Sequence, residues 1–414
     1  MSDSEQRPAR APMLSVQQAL EIMGAAARAP SATEMVATLA ANGRVLAAPQ
    51  VSRIDVPGAD NTQMDGYAVR AADCTSGSAT LAVVQRIPAG KVGDPLVPGR
   101  AARIFTGAMI PDGADAVVMQ EQCEAHDGTV TIKHTPQAGE WIRRAGEDIV
   151  KDAVILEQGT RLRSQELGLA ASTGLAQLPV YRKLRVAVFF TGDELVMPGE
   201  ALAPGAIYNS NRFTLRALLE NLGCELTDFG IVPDTVAATR DTLRQAAHAH
   251  DLIITSGGVS VGEEDHIKPA LEAEGRLDMW QIAVKPGKPL AFGEMTRDGK
   301  PVFFLGLPGN PVSSFITFLL FVRPFILRLQ GVAKVSAPRA FPMRADFNWP
   351  KPDRRNEFLR ARINDAGGLD LFANQGSGVL TSTVWGDGLI DNPPGHAIAA
   401  GESVRFIPFT ELLY

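Results

Sequence analysis

Cysteine is scarce in this sequence: Cys74, Cys123 and Cys224 stand far apart, with no CxxC pair. That excludes the even framework that staples small secreted domains and fits ordinary thiols in a reducing compartment. The six histidines lack HxxxH or HExxH spacing, and His248 and His250, two apart on a predicted helix, do not share a face, so no zinc site is expected. There is no clean membrane-length apolar run. The best candidate, Val312 to Leu329, contains Arg323 and Pro324 and follows the helix-starting pair Asn310-Pro311, which fits a buried helix of a soluble domain. The first dozen residues have no apolar h-region, so a signal peptide is not expected. A net charge of −6 offers no general basic face, which argues against a nucleic-acid partner. These absences leave a cytoplasmic chain with neither membrane nor nucleic acid as partner.

Also absent are GxxxxGK[ST] and GxGxxG, which removes simple P-loop and dinucleotide readings. What is present is enough chain, 414 residues, for two to four domains. Ser15 to Leu46 suits helices that stop near Asn42-Gly43. Between Ile54 and Ile142, short apolar runs such as Thr80–Val84, Ala116–Met119 and Thr129–Ile132 alternate with Gly and Pro, predicting a β-rich insert. Ser164 to Ala171 reads as a helix returning to the first region. The expected division is a helical region over 14–53 plus 147–183, a β-rich insert over 54–146, an α/β domain over 184–332 and a small β-barrel over 333–414.

The α/β domain carries the clearest pattern. Arg185–Phe190, Leu252–Thr255 and Val302–Leu305 are predicted strands, separated by helices as in a mostly parallel sheet. Leu215, Leu218, Leu219 and Leu222 recur at helical spacing between an Asn209-Ser210-Asn211 cap and Gly223. A second helix begins at Thr235, after Asp234.

Ligands of open parallel sheets bind beyond the carboxyl ends of the strands, and there this sequence places its unusual residues. Phe190 is followed by Thr191-Gly192-Asp193-Glu194. Thr255 is followed by a loop containing Gly257, Gly258, Ser260 and Asp265, and Leu305 by Gly306-Leu307-Pro308-Gly309-Asn310. Glycine amides and a helix start accept a phosphate, and the turn Lys285-Pro286-Gly287-Lys288 offers two ammonium groups. Glu194 and Asp265 would repel that phosphate directly, so they imply a bridging Mg²⁺ held by oxygen ligands. Each residue also has a plain structural reading. Asp265 could favour a helix N-terminus through the dipole, Asp234 could be an N-cap, and Pro308 to Pro311 could be a turn feeding a helix.

Seven strings occur together and in order: Met64-Asp65-Gly66-Tyr67-Ala68, Arg103-Ile104-Phe105-Thr106-Gly107, Arg143-Arg144-Ala145-Gly146-Glu147-Asp148, Thr191 to Leu195, Gly257 to Asp265, the Lys285 turn, and Leu307 to Val312. Jointly they resemble the molybdopterin molybdenumtransferase family, which includes the carboxyl-terminal domain of gephyrin, over residues 14 to 414. The resemblance implies an elongated four-part subunit, a homodimer, and insertion of molybdate into adenylylated molybdopterin with Mg²⁺-dependent release of AMP. It implies catalytic roles for Asp65, Asp148, Glu194 and Asp265, the last two at the metal. It also implies substrate contacts from Thr106, Arg143, Asp234, Lys285 and Lys288, beside Gly257, Gly258, Ser260, Pro308 and Asn310. Molybdate, a dianion, needs cationic and N–H donors, for which Arg360 and Ser377 are candidates. Arg144 is expected to pair with Glu147 or Asp148. Contact with the adenylyltransferase and with molybdopterin synthase would follow from that place in the chemistry. Two alternatives are the adenylyltransferase, which shares the central α/β unit, and a gephyrin-like scaffold; the Asp65 motif with the extra domains, and the lack of a separate amino-terminal domain and long linker, argue against them.

Overall fold

The computed structural model describes residues 13–30, 32–258 and 266–413. Contacts divide the chain into two compact units. One comprises 1–34, 43–47 and 179–414; the other comprises 35–42 and 48–178.

In the smaller unit a six-stranded sheet runs in the order 116–119, 66–69, 100–104, 79–87, 129–132, 123–126. Only the pair 79–87 with 100–104 is parallel. Side chains of its central strands alternate between two buried faces. Tyr67, Val69, Ala101 and Val118 bury one face, while Ala68, Ala102, Ile104 and Val117 bury the other, the period of two that a pleated strand imposes. Helix Ser164–Ser172 completes this unit.

The larger unit holds the expected α/β domain. Its sheet order is 225–232, 185–191, 252–256, 300–307, 289–297, 275–281. The first four strands are parallel and the last two antiparallel. Val186, Val188 and Phe190 pack with Ile254 and Leu305 under helices Val16–Ala26, Ser210–Asn221 and 311–329. Ala187, Phe189 and Ile253 pack oppositely under helices Val236–Ala249 and Ile267–Glu274. Coverage of both faces explains why these strands read as continuous apolar runs. The caps match the sequence signals in part: Asn209 accepts from the Arg212 amide and Gly223 sits at φ +74°. Thr235, not Asp234, caps the next helix, its side chain accepting from the Ala238 amide.

The stretch 311–329 is the buried helix expected. It is long and apolar enough to cross a membrane, but 83% of the window lies inside the protein. Phe318–Val322 winds as a π-turn between α-helical segments Pro311–Thr317 and Arg323–Leu329, and π-bulges often mark functional sites. The carboxyl-terminal sheet runs 284–285, 356–363, 388–392, 403–408, 341–344, with 369–371 paired to 356–363. The first region departs from the helical expectation. Val16–Ala26 is a helix with a Ser15/Gln18 capping box, but Thr33–Ala37 is a strand and only Thr38–Ala40 turns again, as a 3₁₀ segment. Tertiary pairing overrides the helix propensity of its alanines.

Candidate active site

Four parallel strands end at one side of the α/β sheet, and the residue just beyond or within two of each end lines a single cavity of about 620 Å³. Thr191 and Gly192 close the first strand, Asp234 follows the second, Gly257 and Gly258 the third, and Pro308, Gly309 and Asn310 the fourth. The glycines are obligatory in this geometry. Gly257 has φ +101°, and a Cβ there would lie 2.5 Å from the Thr191 carbonyl oxygen. Gly287, at φ +114°, would place a Cβ 2.4 Å from Thr317 Oγ1. Asn211 Nδ2 cross-links the loops, donating to Ser256 Oγ and to the Gly309 carbonyl, each at 2.8 Å.

The opposite wall carries the cations. Lys285, Lys288 and Arg355 line the cavity beside Gln375, Gly376 and Ser377. The Ser377 carbonyl accepts from the Val312 amide at 2.9 Å, joining this wall to the start of helix 311–329. Ser313, one residue on, also faces the cavity. Arg355 donates through Nε and a terminal nitrogen to Asp353 at 2.9 and 2.8 Å. Those bonds, Arg355's charge and the neighbouring Lys285 hold the Asp353 carboxyl well below the usual carboxylate range.

Arg360 is not a lining residue. It is fully buried within strand Asn356–Ile363, where its guanidinium reaches Ser382 Oγ at 3.1 Å and the carbonyls of Phe358 and Gly376 at 3.3 Å. Burial pulls its pKa down to about 10. The arginine that lines the cavity is Arg355, just before this strand, which the sequence expectation did not name. Its signal was the turn Asp353-Arg354-Arg355 just before the strand. Ser313 and Gln375 were missed too, Ser313 three residues from Asn310 and Gln375 two from Ser377.

Three family models match successive stretches of the chain: the MoeA N-terminal region (domain I and II) over residues 14–174, a probable molybdopterin binding domain over 187–328, and the MoeA C-terminal region (domain IV) over 342–409. The molybdopterin molybdenumtransferase of Haemophilus influenzae is 43% identical over 409 residues, spanning 97% of this chain and 100% of that one. The chain belongs to the molybdopterin molybdenumtransferase family. The Nostoc relative of the same name is 38% identical over 90% of this chain and 88% of its own length. A molybdopterin biosynthesis MoeA structure from Pyrococcus horikoshii superposes with a TM-score of 0.83 at 27% identity, covering 96% of this chain and 100% of that one. A second MoeA structure from that organism gives 0.76 at 31% identity, covering 96% and 99%. The protein is an enzyme of molybdenum cofactor biosynthesis.

Asp65, Thr106, Arg143 and Asp148, also expected from the family, belong to the smaller unit. Asp65 Oδ1 accepts from the Thr106 amide at 2.8 Å and the Thr106 hydroxyl at 2.7 Å. Those bonds, the amide first, lower the Asp65 pKa and keep it a carboxylate. The Thr106 turn is closed by the Ala108 amide donating to the Phe105 carbonyl at 2.8 Å. Phe105 itself lies between the guanidinium carbons of Arg86 and Arg103, 4.3 and 4.6 Å from its ring centre. Arg143 and Asp148 are exposed. Arg144 pairs with Asp60 at 2.5 Å, while Glu147 accepts the Arg144 backbone amide rather than its side chain. Ser260 and Asp265 lie outside the described residues.

Magnesium fits the donor set in one respect that the structure shows. Two carboxylates, Glu194 and Asp234, line the same cavity as the glycine amides and cations. Mg²⁺ is commonly held by one or two carboxylates together with substrate phosphate oxygens and water. No cluster of three His, Cys, Asp or Glu forms among the described residues, which do not include Asp265.

Proposed function

We propose that this enzyme inserts molybdate into adenylylated molybdopterin, releasing AMP and molybdenum cofactor, in the cavity at the four strand ends. One observation carries this reading: glycine-rich strand ends, two carboxylates and three cations meet in a space large enough for an extended dianionic ligand. The strand-end amides and the start of helix 311–329 would bind the phosphates, with Lys288 and Arg355 offsetting their charge. Glu194 and Asp234, with Asp265 from the family motif, would hold Mg²⁺, which supplies charge stabilisation at the phosphoanhydride. Ser377 and the 375–377 loop would meet the oxyanion. Asp65, Thr106, Arg143 and Asp148 are proposed as functional residues of the smaller unit, and the proposal includes the homodimer, the four-part division, a cytoplasmic setting, and contact with the adenylyltransferase and molybdopterin synthase.

Holding the anhydride and the oxyanion in one cavity makes the reaction effectively intramolecular. Purified protein given adenylylated molybdopterin, Mg²⁺ and molybdate is therefore expected to release AMP faster than without molybdate. The product should activate a molybdenum-free apo-enzyme. Efficient adenylylation of molybdopterin from ATP, with no metal insertion from the preformed intermediate, would overturn the assignment in favour of the adenylyltransferase. Full AMP release by chelator-treated protein would remove Mg²⁺ from it.

A further inference from the structure

Lys285 and Lys288 flank one Pro-Gly turn and line one cavity, yet their surroundings differ. Lys285 Nζ donates to Glu357 Oε1 at 3.1 Å and lies 3.4 Å from Asp353 Oδ2. Backbone register enforces the first contact: strand Val284–Lys285 runs parallel to Asn356–Ile363, and Lys285 stands opposite Glu357. Lys288 forms no ion pair with any described residue.

Glu357 is an unusual place for a charge. It is fully buried, and a buried carboxylate needs both a counter-charge and occupied lone pairs. Its Oε2 accepts from Trp349 Nε1 at 2.9 Å, the Asp353 amide at 3.1 Å and Asn392 Nδ2 at 3.4 Å. That oxygen is saturated by the carboxyl-terminal sheet. Oε1 points the other way and meets the Lys285 ammonium. The carboxylate is thus held from behind by three donors and presents one oxygen to the cavity wall.

We propose that Glu357 is a positioning residue that fixes the Lys285 ammonium in the cavity wall and offsets its charge, leaving Lys288 as the lysine whose full charge meets the substrate's anionic group. Lys285 then contributes geometry and a directed N–H donor, whereas Lys288 contributes affinity. The inference rests on the reading of this cavity as the site of an anionic, phosphorylated substrate. It extends that reading by separating two residues that the sequence motif treats alike.

Glu357→Gln keeps the shape and an acceptor oxygen while removing the charge. Lys285 gains effective charge but loses its fixed position, so the binding of molybdate, and of AMP with Mg²⁺, is expected to tighten by about threefold. Turnover of the adenylylated pterin is expected to fall by about tenfold, lowering kcat and KM together, a signature that loss of packing does not give. Lys288→Ala should weaken the same binding by about tenfold, the loss of one charged hydrogen bond. A stability cycle checks the pair without substrate. Lys285→Met strands the buried carboxylate and should lower the denaturation midpoint, and adding Glu357→Gln should restore most of that loss.

Additive effects in the cycle would overturn the proposal, as would Glu357→Gln weakening anion binding as much as Lys288→Ala does. Should Glu357→Gln alone not fold while the double variant does, the pairing stands and the double variant's kcat and KM are compared with those of Lys285→Met. If wild-type protein binds neither molybdate nor AMP with Mg²⁺, the assigned function fails, and the cycle alone still decides whether Glu357 holds Lys285.

Discussion

The two walls of the cavity are built by opposite logics. On the parallel-sheet side, chemistry sits in backbone conformation: glycines at positive φ, exposed amides and short loops fixed by the ends of four strands. On the carboxyl-terminal side it sits in long side chains: Lys285 is held by Glu357, Arg355 by Asp353 and Gln375 by the Arg360 carbonyl. The first wall is rigid because a strand end has nowhere to go. The second is rigid only as far as its ion pairs and hydrogen bonds are intact. Substitutions should therefore act on the first by shape and on the second by charge.

The sharpest contrast pairs two glycines. Gly257→Ala forces a Cβ against the Thr191 carbonyl at a left-handed φ, and such strain costs about 1–3 kcal/mol with steric displacement added. It should lower stability by at least that amount and turnover by on the order of 100-fold, as displaced binding groups do. Gly378→Ala, on the carboxyl-terminal loop, meets nothing within 4 Å and should stay within about 0.5 kcal/mol, as surface changes do. Thermal denaturation with AMP-release assays compares them, and equal effects would erase the distinction between the walls.

Two arginines test the second wall. Arg355→Ala should weaken molybdate binding by about tenfold, the loss of one charged hydrogen bond, with a small change in stability. Arg360→Ala should do the reverse, costing about 2–4 kcal/mol for the void and the unpaired carbonyls it leaves and leaving affinity nearly intact. Calorimetry and urea titration on both variants give the comparison; loss of affinity in Arg360→Ala at unchanged stability would place Arg360 at the ligand after all.

The smallest expected effect is a pH dependence. Asp353 has its folded pKa depressed by Arg355, so its contribution is complete above the unfolded carboxylate value near 3.8 and is lost as pH falls through the lower folded value. Asp353→Asn should cost about 1–2 kcal/mol at pH 7, and the gap to wild type should close below about pH 4. A gap that persists unchanged at pH 2.5 would mean that Asp353 acts through shape, as the other wall does.

The same contrast decides how much was legible in the sequence. A parallel strand announces its end, because an apolar run such as Arg185–Phe190 stops and the next residues are the site. The strand-end loops and the Lys285 turn could therefore be located from residue order alone. Asn356–Ile363 gives no such cue. It is buried on both faces over Glu357 to Ala361, so no alternation marks Arg360 as the inward arginine and Arg355 as the one that lines the cavity. Arg360 is a candidate on charge alone, because a dianion needs a cationic donor; its burial against Ser382 Oγ and two carbonyls shows only in the structure. Asp234 went the other way: its capping role passed to Thr235, a one-residue difference that only backbone geometry decides. The seven joint motifs carried the family, since each encodes a local conformation that few other sequences need.

The helix 311–329 bears on how the chain can be made. The cluster that covers it draws on Ala19 and Met23 near the amino end and on Phe409 and Leu412 near the carboxyl end. During synthesis this most apolar segment emerges with Ala19 and Met23 already made and Phe409 and Leu412 still to come. Its burial waits for contacts of very long sequence separation, the kind that form slowly. A nascent or truncated chain ending shortly after Leu329 would carry an exposed stretch with the length and hydropathy of a membrane span, the species that chaperones intercept and that aggregates when they do not.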